Sequence, residues 1–217
     1  MTKSKDKFFN KDNLKGIAWI ALALSVQLLS YFVTKPFIQD PQFVNQDIDN
    51  YIPLIKFFVV FYVAWYFMIA IVPFMIYRRD RGLFKTYITT NILMYIASAV
   101  TFAVYPTIVY VPQLETTDVF SWALNIIYTV DSPPLNAIPS GHAMSATLMF
   151  LGAIFCKRMK RSTKAVLAVL SILALLSTVF TKQHALQDPI YGIVYATVIF
   201  IIVFFIQRKL SNQKSKE

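Results

Sequence analysis

Long apolar runs separated by short polar islands make up most of this chain. Six stretches are close to continuously apolar: Gly16 to Val33, Leu54 to Tyr77, Tyr87 to Val109, Ser140 to Cys156, Ala165 to Phe180 and Pro189 to Gln207. A helix needs ~20 mostly apolar residues to cross a hydrocarbon core about 30 Å thick, so each is expected to be a membrane span, the fourth and fifth being the shortest. The pattern changes once. In the longest polar interval, Tyr110 to Ile138, the residues Val119, Phe120, Trp122, Ala123, Ile126, Ile127 and Val130 recur at near-helical spacing. That predicts a short amphipathic helix in the outer interface, covering the bundle or gating it laterally. Trp122 and Tyr128 suit headgroup depth. The expected fold is all-α: a polytopic membrane protein with six transmembrane helices and one membrane domain over residues 1–217.

Composition agrees. The chain is 57% hydrophobic and 15% charged, which leaves no room for a separate soluble domain. The net charge of +10 would point to nucleic acid in a soluble chain, but its distribution says otherwise. Lys3, Lys5, Lys7, Lys11 and Lys15 precede the first run; Arg78, Arg79, Arg81 and Lys85 follow the second. Lys157, Arg158, Lys160, Arg161 and Lys164 follow the fourth; Arg208, Lys209, Lys214 and Lys216 follow the sixth. Only Lys35, Lys56 and Lys182 are left for the other side. The positive-inside rule therefore places both termini in the cytoplasm, and no nucleic-acid partner is expected. The first run carries Ser25, Gln27 and Ser30 and lacks a small-residue cleavage site, so it reads as a retained helix. Cys156 is the single cysteine and reads as an apolar filler. The loop holding Asp40, Asp47 and Asp49 among Pro36, Pro41 and Pro53 reads as an acidic outer turn without chemistry.

The chain has two histidines, and each stands in a polar island at the mouth of an apolar run. The first island is Asn136-Ala137-Ile138-Pro139-Ser140-Gly141-His142. Ser140 is a suitable N-cap, the free N–H groups of the helix start make an anion site, and Gly141 lets an anion approach the backbone. His142 falls in the first turn. The second island is Thr181-Lys182-Gln183-His184-Ala185-Leu186-Gln187-Asp188. His184 and Asp188 share a face if that segment is helical. Pro189 instead favours Asp188 as the N-cap of the last helix. The basic residues put both histidines on the outer side, where ionisable groups near membrane depth default to function. From the residues alone, a structural histidine at a helix end and a plain polar turn remain alternatives.

Pro139-Ser140-Gly141-His142 followed by His184 and Asp188 resembles the type 2 phosphatidic acid phosphatase superfamily of membrane lipid phosphatases and phosphotransferases. The likeness covers roughly residues 105–192, the expected catalytic part, and Asp131-Ser132-Pro133-Pro134-Leu135-Asn136 looks like one bacterial branch. The resemblance implies that His184 is the nucleophile, that Asp188 orients it and that His142 protonates the departing oxygen. It also implies that Ser140 and the Gly141 N–H hold phosphoryl oxygens, with Asn136 among the substrate-binding residues, and that no metal or cofactor is required. Two departures stand out. Val111 precedes Pro112 where the family has Lys and Arg before a proline, and Thr178 follows Ser177 where it has Ser-Arg. Lys182 is the expected substitute for these phosphate clamps, although a point charge cannot reproduce a guanidinium fork. Sphingomyelin synthase-like transferases resemble this chain in lacking the last arginine.

The expected function is metal-independent hydrolysis of a lipid phosphomonoester or pyrophosphate at the outer face of the cell membrane. The rivals are headgroup phosphotransfer on the same fold, a transport role, and a catalytically degenerate member. Against transport, the first, second, fifth and sixth runs carry almost no charge in their interiors.

Overall fold

The computed structural model describes residues 10–214; Lys3, Lys5, Lys7 and Lys216 of the basic flanks lie outside the described residues. Seven helices follow one another: α1 (Lys11–Phe32), α2 (Val59–Arg79), α3 (Arg81–Val104), α4 (Val119–Val130), α5 (Gly141–Phe155), α6 (Arg161–Phe180) and α7 (Gln187–Lys214). Two short parallel strands, β1 (Gln42–Phe43) and β2 (Thr107–Ile108), pair on the loop side.

The helix ends differ from the apolar boundaries for local reasons. Asn10 caps α1 by accepting the Asn13 N–H at 2.8 Å, which starts the helix five residues before the apolar run. Asp80 alone separates α2 from α3: its N–H closes α2 on the Ile76 carbonyl and its carboxylate caps the Leu83 N–H at 3.0 Å. Pro106 ends α3 at Val104, short of the predicted Val109, because the residue before a proline avoids helical geometry. After Pro53 the backbone passes through a 3-10 turn at Lys56–Phe58, so α2 starts at Val59 rather than Leu54.

Five helical stretches are long and apolar enough to cross a membrane: Lys11–Phe37, Lys56–Arg79, Arg81–Val104, Arg161–Phe180 and Gln187–Gln213. This is the build of a multi-pass membrane protein. Their outward faces carry exposed large hydrophobics such as Leu28, Phe67, Val100, Ile202 and Phe205. The fourth predicted span, α5, has 15 residues and is not among these five. At 1.5 Å per residue it is about 22 Å long, less than a hydrocarbon core of about 30 Å. It sits at the centre of the bundle, packed against α2, α3, α6 and α7.

Missing side chains allow that packing. A Cβ at Gly152 would meet Ile76 at 2.7 Å and Tyr87 at 2.9 Å, and one at Gly192 would meet the Ser140 carbonyl at 2.8 Å and Ala143 Cβ at 2.9 Å. The two glycines let α5 touch α2 and α3 on one side and α7 on the other.

Above α5 the loops form a second, small core of Val44, Val109, Ala137, Ile138 and Ala185. Thr107 ties it together, its carbonyl accepting the Asn136 N–H at 2.9 Å and its hydroxyl the Ile138 N–H at 3.1 Å. The predicted amphipathic helix is present as α4, capped by Asp118 on the Ser121 N–H at 2.8 Å. Phe120 of α4 meets Phe57 edge-to-face at 5.6 Å.

Candidate active site

The start of α5 is held from three sides. Ser140, fully buried, caps the helix by accepting the Ala143 N–H at 3.3 Å, and its own N–H donates to the Asp188 carbonyl at 3.2 Å. From α3, the Tyr95 hydroxyl donates to the Gly141 carbonyl at 2.8 Å and lies 2.6 Å from the Ser145 hydroxyl. His142 projects from this braced turn into aromatic walls. Its ring stacks on Tyr62 at 4.4 Å and lies 4.0 Å from Trp65, both on α2, with Tyr66 edge-on at 6.0 Å. Its Nε2 is buried without a protein partner.

The second island is a tight turn between α6 and α7. The Thr181 and Lys182 N–H groups close back on Ser177 and Val179, and the His184 N–H donates to the Thr178 carbonyl at 3.0 Å. Asp188 lies in the first turn of α7, which begins at Gln187, two residues earlier than an Asp188 cap requires. Its fully buried carboxylate reaches back, Oδ2 lying 3.0 Å from His184 Nδ1 and accepting the Ala185 N–H at 3.1 Å. A carboxylate only accepts, so Nδ1 carries the proton and Nε2 of His184 carries the lone pair.

The two imidazoles face a common space, with ring centroids 6.1 Å apart. It is a cavity of about 560 Å³ with Gly141, His142, Gln183 and His184 in its polar part. Leu28 and Phe32 of α1 and Ile126 and Val130 of α4 make its apolar walls. Of the seven residues singled out from the sequence, Gly141, His142 and His184 line this cavity, and Ser140 and Asp188 stand directly behind them.

Lys182 and Asn136 are turned elsewhere. Lys182 adopts a left-handed backbone (φ 57°), which reverses the chain so that its ammonium donates to the Asp49 carbonyl at 2.6 Å. Asn136, also left-handed (φ 61°), donates its amide to the Tyr31 carbonyl at 2.9 Å and the Thr34 hydroxyl at 2.8 Å, pinning the loop to the end of α1.

A family model, the PAP2 superfamily, matches residues 82–211, more than half of the chain. The chain belongs to the PAP2 superfamily. No curated protein and no solved structure matches it. Membership in the PAP2 superfamily supports phosphatase- or phosphotransferase-type chemistry on phosphate esters. The matched stretch holds nearly all of α3 and everything from α4 to the last turn of α7, and with them both histidines and Asp188. The aromatic walls do not come from it. Tyr31, Tyr62, Trp65 and Tyr66 stand on α1 and α2, before the PAP2 superfamily match begins.

Several residues at the site gave no signal in the sequence. Asp49 accepts the Leu186 N–H at 2.8 Å and the Gln46 N–H at 2.8 Å, so the loop read as inert steadies the His184 turn. Asp131 lines the cavity, paired with Lys35 at 3.1 Å and hydrogen-bonded by the Tyr31 hydroxyl. From α4, the Tyr128 hydroxyl donates to the Thr181 carbonyl at 2.5 Å, and burial pushes that phenol up, keeping it a donor. Nothing in residue type separates Asp49 from Asp40 or Asp47; only the fold selects it.

Proposed function

We propose that the protein is a membrane lipid phosphatase that hydrolyses a phosphomonoester or pyrophosphate lipid, of the phosphatidate or prenyl pyrophosphate kind. The reaction passes through a phosphohistidine on His184. The observation that carries this reading is the pair of facing imidazoles 6.1 Å apart, one of them backed by Asp188. His184 Nε2 attacks phosphorus as the bond to the lipid oxygen breaks, and His142 gives that oxygen its proton. Water, deprotonated by His142, then attacks the phosphohistidine, and phosphate leaves with His184 restored. Covalent catalysis splits one difficult transfer into two easier steps. The free N–H groups at the start of α5 face the charge that develops on the phosphoryl oxygens. Asp188 favours the positive charge that His184 acquires. The apolar walls from α1 and α4 suit the acyl or prenyl tail.

In this reading α5 is the fourth of six spans, both termini are cytoplasmic, and the site opens to the extracytoplasmic side of the cell membrane. Residues 105–192 are the catalytic part of a single membrane domain.

A second reading, transfer of the phosphoryl-bearing headgroup to an alcohol, is favoured by one observation. Among the described residues, the one Asp, Glu, Lys or Arg lining the cavity is Asp131. A site without a cation suits a singly charged phosphodiester. The experiment is phosphate release from a panel of lipid phosphates by detergent-purified protein, with and without an alcohol acceptor, beside His184→Ala. Release that the mutant loses supports the phosphatase. Acceptor-dependent product without phosphate supports the transferase, and turnover that survives in the mutant overturns both.

A further inference from the structure

Gln183 stands next to His184 and is 2% exposed, yet neither its Oε1 nor its Nε2 has a partner in the protein. A buried amide left unpaired is costly, so such a group points to something that completes it. It lines the cavity shared by His142 and His184. Three further residues lining the same cavity carry an unpaired buried polar atom: the Trp65 Nε1 donor, His142 Nε2 and the Gln27 Oε1 acceptor. The donors of the neighbouring turn are, by contrast, satisfied, since Lys182 is held by Asp49, His184 by Asp188 and Thr178, and Ala185 by Asp188, whose second oxygen, Oδ1, is itself buried without a partner.

The pattern of unpaired atoms is informative. A cation clamp offers donors only, whereas an amide offers a donor and an acceptor side by side. The matching ligand face is an ionised oxygen next to a hydroxyl on one phosphorus. A dianion in this cavity would meet no unpaired cation and would sit beside the Asp131 carboxylate, already held by Lys35 and Tyr31.

We propose that Gln183 binds the transferred phosphoryl group in its singly protonated form, Nε2 donating to the ionised oxygen and Oε1 accepting from the P–OH. The Trp65 indole N–H is the second donor to that group. The proposal rests on the reading that His184 attacks a phosphomonoester. It assigns to Gln183 the place that a missing arginine leaves open, and makes it the residue that selects the charge state of the substrate.

The test uses the full-length protein in detergent and a short-chain lipid phosphomonoester. Four variants are compared with wild type: Gln183→Leu, Gln183→Glu, Gln183→Arg and His184→Ala. Losing one preorganised donor lowers kcat on the order of 100-fold with KM little changed, so Gln183→Leu is expected there. Gln183→Glu keeps the volume and is expected to lose at least as much by setting a carboxylate against the phosphoryl group. The group least explained by a structural role is the pH profile. Wild-type kcat/KM is expected to fall as the ester loses its second proton, near pH ~6, while Gln183→Arg carries activity to higher pH. His142, His184, Asp131, Tyr31, Tyr62, Tyr66 and Tyr95 line this space in both proteins, with Asp188 and Lys35 behind His184 and Asp131, so the difference between the profiles reports position 183. Leu and Glu variants within twofold of wild type, or superimposable profiles for wild type and Gln183→Arg, overturn the proposal while leaving the phosphohistidine reading in place. Wild-type turnover in His184→Ala removes that reading and the proposal with it.

Discussion

The backbone carbonyl of Asp188 accepts the N–H of Ser140 at 3.2 Å, so the residue whose carboxylate orients His184 also braces the helix start that carries His142. The two halves of the site are joined through one residue of α7. Asp188→Asn keeps the shape and the backbone bond but removes the charge and admits the wrong tautomer of His184. Turnover is expected to fall roughly 10³- to 10⁴-fold, as when the carboxylate behind a catalytic histidine is neutralised, with the melting temperature little changed. Near-wild-type kcat in this variant would remove Asp188 from the mechanism.

Gly192 tests the contact between α5 and α7. A methyl there falls 2.8 Å from the Ser140 carbonyl, a backbone atom that cannot swing aside. Gly192→Ala is expected to cost about 1–3 kcal/mol and to lower activity, because the displaced carbonyl belongs to the cap of α5. Gly82 gives the opposite sign. Its added methyl would lie 3.6 Å from Asp80 Oδ1, in ordinary contact, within the first turn of α3. Gly82→Ala should stabilise by about 0.5–1 kcal/mol through helix propensity. Thermal unfolding in one detergent reads both, and equal shifts would contradict the packing argument.

Asp49 and Lys182 bear on how the His184 turn is held. Asp49→Ala leaves the half-buried Leu186 N–H without its acceptor, a loss of about 1 kcal/mol. Faster proteolysis in the 182–186 turn and reduced kcat, with the bundle intact by circular dichroism, are the expected result. Lys182→Met is expected to leave KM unchanged, since its ammonium is on the Asp49 carbonyl and not in the cavity. A KM raised tenfold or more would restore Lys182 as a phosphate clamp.

Acid should loosen α4 before the bundle. The Ser121 N–H that Asp118 caps, with Lys56 beside it, holds this carboxyl down to about 2 against an ordinary 3.8. A depressed carboxyl contributes stability above its unfolded pKa and loses it as pH falls toward its folded one. The window is therefore about pH 4 to 2. Trp122 emission should report the change there. Asp118→Asn, a good neutral cap, should show no transition in that window. Matching acid transitions in both proteins would assign the change elsewhere.

Much of the frame was legible because a membrane forces it. Runs of apolar residues and the helical period of Val119–Val130 have no alternative use at that length. The two histidine islands stood out because polar residues are scarce among such runs. What stayed hidden depends on pairing at a distance. The aromatic walls of His142 come from Tyr62 and Trp65, which look like any other aromatics of an apolar helix. Lys182 misled for a conformational reason: a left-handed lysine carries no signature in composition, and it sends consecutive side chains in opposite directions. The fourth run, Ser140 to Cys156, kept its expected bounds, with Ser140 capping α5 at Gly141 and Cys156 closing it.

The shortness of α5 has a consequence for water. Asn136, Ala137, Ile138 and Ser140 lead down to α5 as buried, non-helical backbone, which a bilayer tolerates only inside protein. If the helix reaches the inner edge of the hydrocarbon, its upper end lies roughly 8 Å below the outer edge. The histidines then sit at the bottom of a well rather than on a surface, and every acceptor has to descend it. In the proposed reaction the length of one helix would meter how much solvent competes for the phosphoryl group, and extending α5 by a turn would raise the floor of the well and with it the share of hydrolysis.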